Sequence, residues 1–364
     1  MVRGIPNVRL VSAPAVDSEH RIPVARRLIA AYRQAMKDQP TAKLQAPIDD
    51  LWTRLVEREF AILLAILEAG DAEKLADFLF HFGRQYTWFG GLTLSIDGFN
   101  RRRDNVSVAI SYLDKLICLA EAVGVLAVEN PEQLGEWGWN IHSDVDRVVG
   151  ELEQAIGIEL TPPAGVIHTF GIESIRGPIH YRHMNSLYAA LRLRDLAPGG
   201  GSICEYGGGL GLVAYYANKL GFRNYTIFDL PIVNVFAGNF LMNALGPDAV
   251  RLYGEDALPD RVSVLPYWAC VDSADKSFEL SLNQDSFPEI EPELVIQYLD
   301  QIERSTTRGF LSINQEACAS MGSKRQNSVP QLIRPRSSMR RAYRMKYWIR
   351  EGYVEELYDV LPNR

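Results

Sequence analysis

Between residues 202 and 222 the chain reads SICEYGGGLGLVAYYANKLGF, an apolar run interrupted by five glycines. No other stretch restricts the fold as strongly. A short apolar segment, a glycine turn and a periodic apolar tail predict strand, tight turn and helix in that order. Glu205-Tyr206-Gly207-Gly208-Gly209-Leu210-Gly211 has the form E-x-G-x-G-x-G. Each glycine lets the chain turn tightly, or lets its backbone approach a ligand without a Cβ in the way. The helix that opens after Gly211 offers unpaired N–H groups to a polar or anionic group.

The flanking sequence says what this turn belongs to. SICEYG, NYTIFDL, AVRLYGE, VSVLPYWACV, FELSLNQ and GFLSINQ are short apolar runs that alternate with helical patterns. Such alternation predicts an α/β fold with a parallel, doubly wound sheet. YWIREGYVEELYDVL reads as a closing hairpin able to supply an antiparallel edge. The first half differs. IPVARRLIAAYRQAMKDQ, PIDDLWTRLVEREFAILLAILEAGD, AEKLADFLFHFG and SVAISYLDKLICLAEAVGV carry apolar residues every three or four positions, as amphipathic helices do. Pro47 with Asp49 and Asp50 suits a helix start, and a further helix or pair of helices is expected in the stretch from Asn130 to Gly157. ELTPPAGVIHTFGIESIRGPIHYRH then breaks the pattern with prolines and glycines. The expected organisation is an all-helical N-terminal domain over residues 1–160 and a Rossmann-like domain over 161–364, with a ligand held between them.

Composition narrows the partners. Hydrophobic residues at 47% and charged residues at 23% are those of a globular chain able to bury a core. A net charge of −7 gives no general attraction to nucleic acid or to an anionic membrane. No apolar run reaches membrane-spanning length and no secretory leader is legible, so a cytoplasmic protein is expected. The four cysteines lie far apart without C-x-x-C spacing, and the histidines show no H-x-x-x-H pair; no metal site is expected.

Two ligand classes use a turn of this kind. Gly209 to Ala214 fit G-x-G-x-x-A, as in a dinucleotide fold. Against that stands Glu205, whose carboxylate at the strand tip would repel a pyrophosphate but suits an ammonium group. Asp229 closes the next strand in NYTIFDLP, where a carboxylate can accept hydrogen bonds from both ribose hydroxyls. An ammonium group near Glu205 and a ribose at Asp229 describe S-adenosylmethionine better than NAD.

With these residues in place the chain resembles class I S-adenosylmethionine-dependent methyltransferases. More narrowly, EYGGGLGLVAYYANKLG, YTIFDLPIVN, NQDSFPEI, LSINQEA and YWIREGYVEELY resemble bacterial sugar O-methyltransferases, over about residues 165–364. The resemblance implies a cofactor site at Glu205, Gly207, Gly209 and Gly211 for the methionine portion and at Asp229 with Leu230 for the ribose. Glu255 and Asp256, or Asn283, complete it, while the extra strand-like run VSVLPYWACV leaves the adenine contact open.

Acceptor chemistry belongs at the carboxyl ends of the strands. NQDSFPEI puts Asn283, Gln284, Asp285 and Glu289 there, and SINQEA adds Asn314, Gln315 and Glu316. Asp285 and Glu316 are the candidate bases for removing a hydroxyl proton, with His180 third; each is also an ordinary helix cap or loop acid in other folds. His180 sits in GPIHYRHM, a segment that could lie over the cofactor, while His183 is expected to be structural. Residues 317–350 hold no Asp or Glu but include Lys324, Arg325, Arg334, Arg336, Arg340, Arg341, Arg344, Lys346 and Arg350, either a solvated loop or a binder of a nucleotide-sugar diphosphate. Trp88, Phe89, Trp137 and Trp139 pack a core, cover an acceptor or contact a second subunit in a homodimer. The expected reaction is O-methylation of a sugar, nucleotide-sugar or other small polar metabolite. N-methylation of a guanidinium or amine, with Glu289 and Glu316 holding the cation, is the alternative, followed by a non-catalytic cofactor-binding scaffold.

Overall fold

The computed structural model describes residues 8–45, 51–83, 91–94, 104–128, 144–321, 324–336 and 338–361. The expected helix start at Pro47–Asp50 and the aromatic cluster of Trp88, Phe89, Trp137 and Trp139 lie outside them.

The chain forms two compact units, each made of separated segments. One draws on Met1–Asp17, Phe80–Tyr188 and Trp348–Arg350, the other on Ser18–Leu79, Ala189–Tyr347 and Glu351–Arg364. The first unit opens with β1 (Leu10–Ala13), a strand the helical periodicity gave no reason to expect. The second begins with α1 (Arg21–Asp38), α2 (Leu51–Glu59) and α3 (Ala61–Ala69). These two short helices replace the single long one suggested by the sequence, and α3 ends on left-handed Gly70. α4 (Ala72–His81) follows. Back in the first unit, α5 (Asn105–Ala122) is capped by Asp104, whose carboxylate accepts the Ser107 N–H. α6 (Val145–Ile156) is capped in the same way by Asp144. β2 (Thr169–Ile172) pairs antiparallel with β1, and α7 (Tyr181–Leu196) leads into the sheet.

The sheet is built from β3 (Ile203–Tyr206), β4 (Tyr225–Asp229), β5 (Val250–Leu252), β6 (Val262–Pro266), β7 (Phe278–Gln284), β8 (Thr306–Gln315), and a terminal hairpin. Between them lie α8 (Leu212–Lys219), α9 (Pro231–Leu245) and α10 (Pro292–Ser305). A two-stranded ribbon, β9 (Ser320–Met321) and β10 (Lys324–Arg325), precedes α11 (Val329–Ile333); the hairpin is β11 (Met339–Lys346) and β12 (Tyr353–Val360). The spatial order is β11-β12-β8-β7-β3-β4-β6-β5. β3 pairs parallel with β4 and β7, β4 with β6, β6 with β5, and β7 with β8. β12 runs antiparallel to β8 and to β11. All four residues of β3 are buried, as in a strand covered on both faces. The architecture is thus α/β, doubly wound and Rossmann-like, with an antiparallel edge.

Two details differ from the sequence reading. The strand β6 stops at Pro266, and Tyr267–Asp272 coil into a short 3₁₀ helix. β6 lies beside β4, while β5 is pushed to the edge, so the third position in the sheet belongs to VSVLP and not to AVRLYGE. The first arm of the closing hairpin comes from Met339–Lys346, inside the basic stretch, so those arginines stand on a strand. After β3 the chain winds one way to β4, β6 and β5, then returns to the other side for β7 and β8. That reversal places a crevice at the carboxyl ends of β3 and β7, where doubly wound sheets bind ligands.

Candidate functional site

The glycine turn lies at this crevice. Gly207, Gly209 and Gly211 have φ of 76°, 56° and 86°, a region that side-chain-bearing residues avoid. The turn is held by backbone bonds: Gly207 N–H donates to Phe228 O at 2.8 Å and Gly211 N–H to Gly208 O at 2.9 Å. A methyl group on Gly207 would collide with Ser286 Oγ, so the turns after β3 and β7 are pressed together. Asp229, at the tip of β4, reaches across to the turn. One carboxylate oxygen accepts the Gly209 N–H at 2.9 Å and the other accepts the Leu230 N–H at 2.7 Å. Each oxygen keeps a lone pair for a further donor. Burial pushes the Asp229 carboxyl up to about 6, against the pull of those two N–H groups.

Glu205, at the end of β3, is interior. Its side chain lies beneath the turn, 1% exposed, against Gly208 and accepting the Tyr225 hydroxyl at 2.9 Å. Burial pushes its carboxyl up to about 8; the charge of Asp229 adds to the rise and the Tyr225 hydroxyl opposes it. Asn283 is also interior. Its amide donates to Tyr206 O at 2.8 Å and Ser286 Oγ at 2.6 Å, and its carbonyl accepts from Asn314 at 2.9 Å. With both amide hydrogens committed, Asn283 braces the turns of β3, β7 and β8 against one another. Glu255 follows the edge strand β5 and is gripped by Arg27 through two bonds of 2.7 and 2.8 Å, while Asp256 is exposed.

The second half of the rim is assembled from β7, β8 and the hairpin. Asp285 follows β7 with φ of 71°, a strained value for a residue with a side chain. Its N–H donates to Ile313 O at 3.0 Å, and its carboxylate accepts the hydroxyl of Tyr353. Next to it, Gln284 Nε2 donates to the Tyr347 hydroxyl at 3.1 Å. Tyr353 stands opposite Gln315 in the ladder, so the start of β12 meets the end of β8. Glu289 closes a short 3₁₀ turn beyond Asp285, its N–H donating to Ser286 O. Glu316 is taken by Arg344, at 2.8 and 2.5 Å, and this pairing holds its carboxyl below the usual range. Sequence reasoning did not single out Tyr353 or Ser286; only the hairpin register brings Tyr353 to Asp285.

His180 belongs to the first unit. It is 1% exposed, its Nδ1 accepts the Arg182 N–H at 3.2 Å, and its ring packs on Tyr112 with centroids 5.2 Å apart. Burial, with Arg182 and His183 nearby, keeps it well below the ordinary histidine range; burial pushes His183 down to about 3. Among the described residues no group of three or more His, Cys, Asp or Glu is placed to hold a metal ion, and no helix is long and apolar enough to cross a membrane.

No protein-family model matches the chain, and no curated protein matches it. Solved structures do resemble it. A geranyl diphosphate methyltransferase in complex with S-adenosylmethionine shares 12% identity, covering 50% of this chain and 87% of its own at a TM-score of 0.37. The magnesium protoporphyrin IX methyltransferase of Synechocystis PCC 6803, with the same molecule bound, shares 12% over 50% and 81%, at 0.35. The PH0226 protein of Pyrococcus horikoshii OT3 shares 13% over 49% and 90%, at 0.38.

Proposed function

We propose that the chain is an S-adenosylmethionine-dependent methyltransferase that O-methylates a small polar acceptor of the sugar class. One observation carries this reading: the Asp229 carboxylate meets a bare left-handed turn at the point where the sheet reverses its winding. The residues fit the proposed cofactor. Asp229 retains acceptor capacity for a ribose diol, and the turn from Gly207 to Gly211 presents backbone to the methionine portion. Glu205 supports the turn from below instead of meeting an ammonium group from above. Bound there, the cofactor supplies an electrophilic methyl on a sulfonium.

Asp285 is the base in this reading. Its carboxylate would take the proton of the acceptor hydroxyl, and Tyr353 holds that carboxylate in place. Glu316 does not serve as a second base, because Arg344 already engages both its oxygens. The same pairing weakens the guanidinium alternative: a cationic acceptor would have to displace Arg344.

Calorimetry with S-adenosylhomocysteine and with NAD tests the reading. S-adenosylhomocysteine is expected to bind, and Asp229→Asn to weaken it about tenfold, the size of one lost charged hydrogen bond. Binding of NAD in its place would sink the proposal.

A further inference from the structure

Resting on the methyl-transfer reading for the identity of its ligand, we propose that a cavity beside the rim receives a phosphate or diphosphate group carried by the acceptor. The cavity measures about 350 Å³, within the size range of small-molecule sites, and is lined by Glu316, Ser328, Gln331, Arg334, Arg341 and Arg344 among others. It starts where β8 ends, at Glu316. Its Ser328 wall is tied to the turn after β7, since Asn327 N–H donates to Pro288 O at 2.9 Å and Asn327 Nδ2 to Phe287 O at 3.2 Å. The cavity therefore sits at the carboxyl end of β8, beside the turn that follows β7.

Its charge is unbalanced. Arg344 forks onto Glu316, and Arg341 and Arg344 share Glu356 Oε1 at 3.1 and 2.9 Å. Glu356 is buried, its side chain 3% exposed, so these bonds fix both guanidinium groups on β11. Among the described residues no carboxylate pairs with Arg334. Three guanidinium groups facing two carboxylates leave one positive charge at a concave wall. Each guanidinium carries five N–H donors in a planar fork matched to phosphate oxygens, and Ser328 and Gln331 add neutral donors. A free basic loop would present these arginines in no fixed geometry. Here two stand on a strand paired with β12 on either side of a bulge at Ala342, and the third closes α11. Such an arrangement repels a guanidinium acceptor and attracts a phosphorylated sugar or a nucleotide-sugar.

The full chain is titrated calorimetrically in phosphate-free buffer with inorganic pyrophosphate, inorganic phosphate and glucose 1-phosphate, with and without S-adenosylhomocysteine. Pyrophosphate is expected to bind, Arg334→Ala to weaken it at least tenfold and Arg334→Lys to fall between, all with unchanged melting. Glucose 1-phosphate is expected to bind more tightly than inorganic phosphate. Pyrophosphate binding that is absent, or indifferent to Arg334→Ala, overturns the cavity assignment. Glucose 1-phosphate no tighter than inorganic phosphate overturns the acceptor assignment in favour of a free anion. Pyrophosphate binding that depends on Arg334 while S-adenosylhomocysteine fails to bind supports the cavity and removes the methyl-transfer reading.

Discussion

The two halves of the sheet's carboxyl rim are built on different principles. The half at β3 and β4 is a backbone device: left-handed glycines, carbonyl and amide bonds within the turn, and one carboxylate that accepts two N–H groups. The half at β7, β8 and β12 is a side-chain device, in which Asp285, Gln284, Glu316 and Arg344 meet partners from distant parts of the chain. A backbone device tolerates few substitutions but recognises only a general shape. A side-chain device can be retuned residue by residue, and so it is where acceptor specificity is expected to reside.

If the halves divide the labour this way, Asp285→Asn has the largest effect. It is expected to lower kcat by about a hundredfold or more, the scale of a lost general base, with S-adenosylhomocysteine binding unchanged. Loss of that binding in the same variant would show that the halves do not act separately. Gly207→Ala comes next, because it sets a Cβ against Ser286 in a left-handed backbone. About 2 kcal/mol of stability should disappear, read as a melting point lower by several degrees, together with cofactor binding. A melting curve equal to that of the parent would mean that the two turns are not pressed together.

The smallest effect is a pH dependence. Glu205 has a folded value of about 8 against an ordinary value of 4.5, so between these the folded state holds an extra proton. Its contribution is complete below about 4.5 and is lost as pH rises through about 8. Asp229 acts in the same direction but only up to about 6. Glu205→Gln should therefore flatten the fall in melting temperature between about pH 4.5 and 8, leaving only the Asp229 contribution up to about pH 6. An unchanged slope would show that Glu205 is already ionised beneath the turn.

The strands β3 to β8 were all legible as short apolar runs, since a strand buried on both faces needs apolar residues throughout. The Asp229 site was legible as well, because turn and strand end are close in sequence and each carries its own chemical signature. β1 was not, as its four residues pair with β2 across more than a hundred positions and lack a pattern of their own. Which of the two runs stands beside β4 stayed open for a related reason: order within a sheet depends on which strand edge is free when pairing occurs, and AVRLYGE and VSVLP are equally strand-like. Glu316 and Arg344 read separately as a base and a loop cation; only the hairpin unites them.

By itself the sequence determined the α/β alternation, the glycine turn and the carboxylate that meets it, because these follow from local periodicity and from the backbone freedom of a few residues. Tertiary structure alone decided that Glu205 lies under the turn, that Tyr353 holds Asp285, and that Arg334, Arg341 and Arg344 share one cavity. Those outcomes depend on strand order and hairpin register, which are set by the packing of the whole sheet and leave no trace in any single segment.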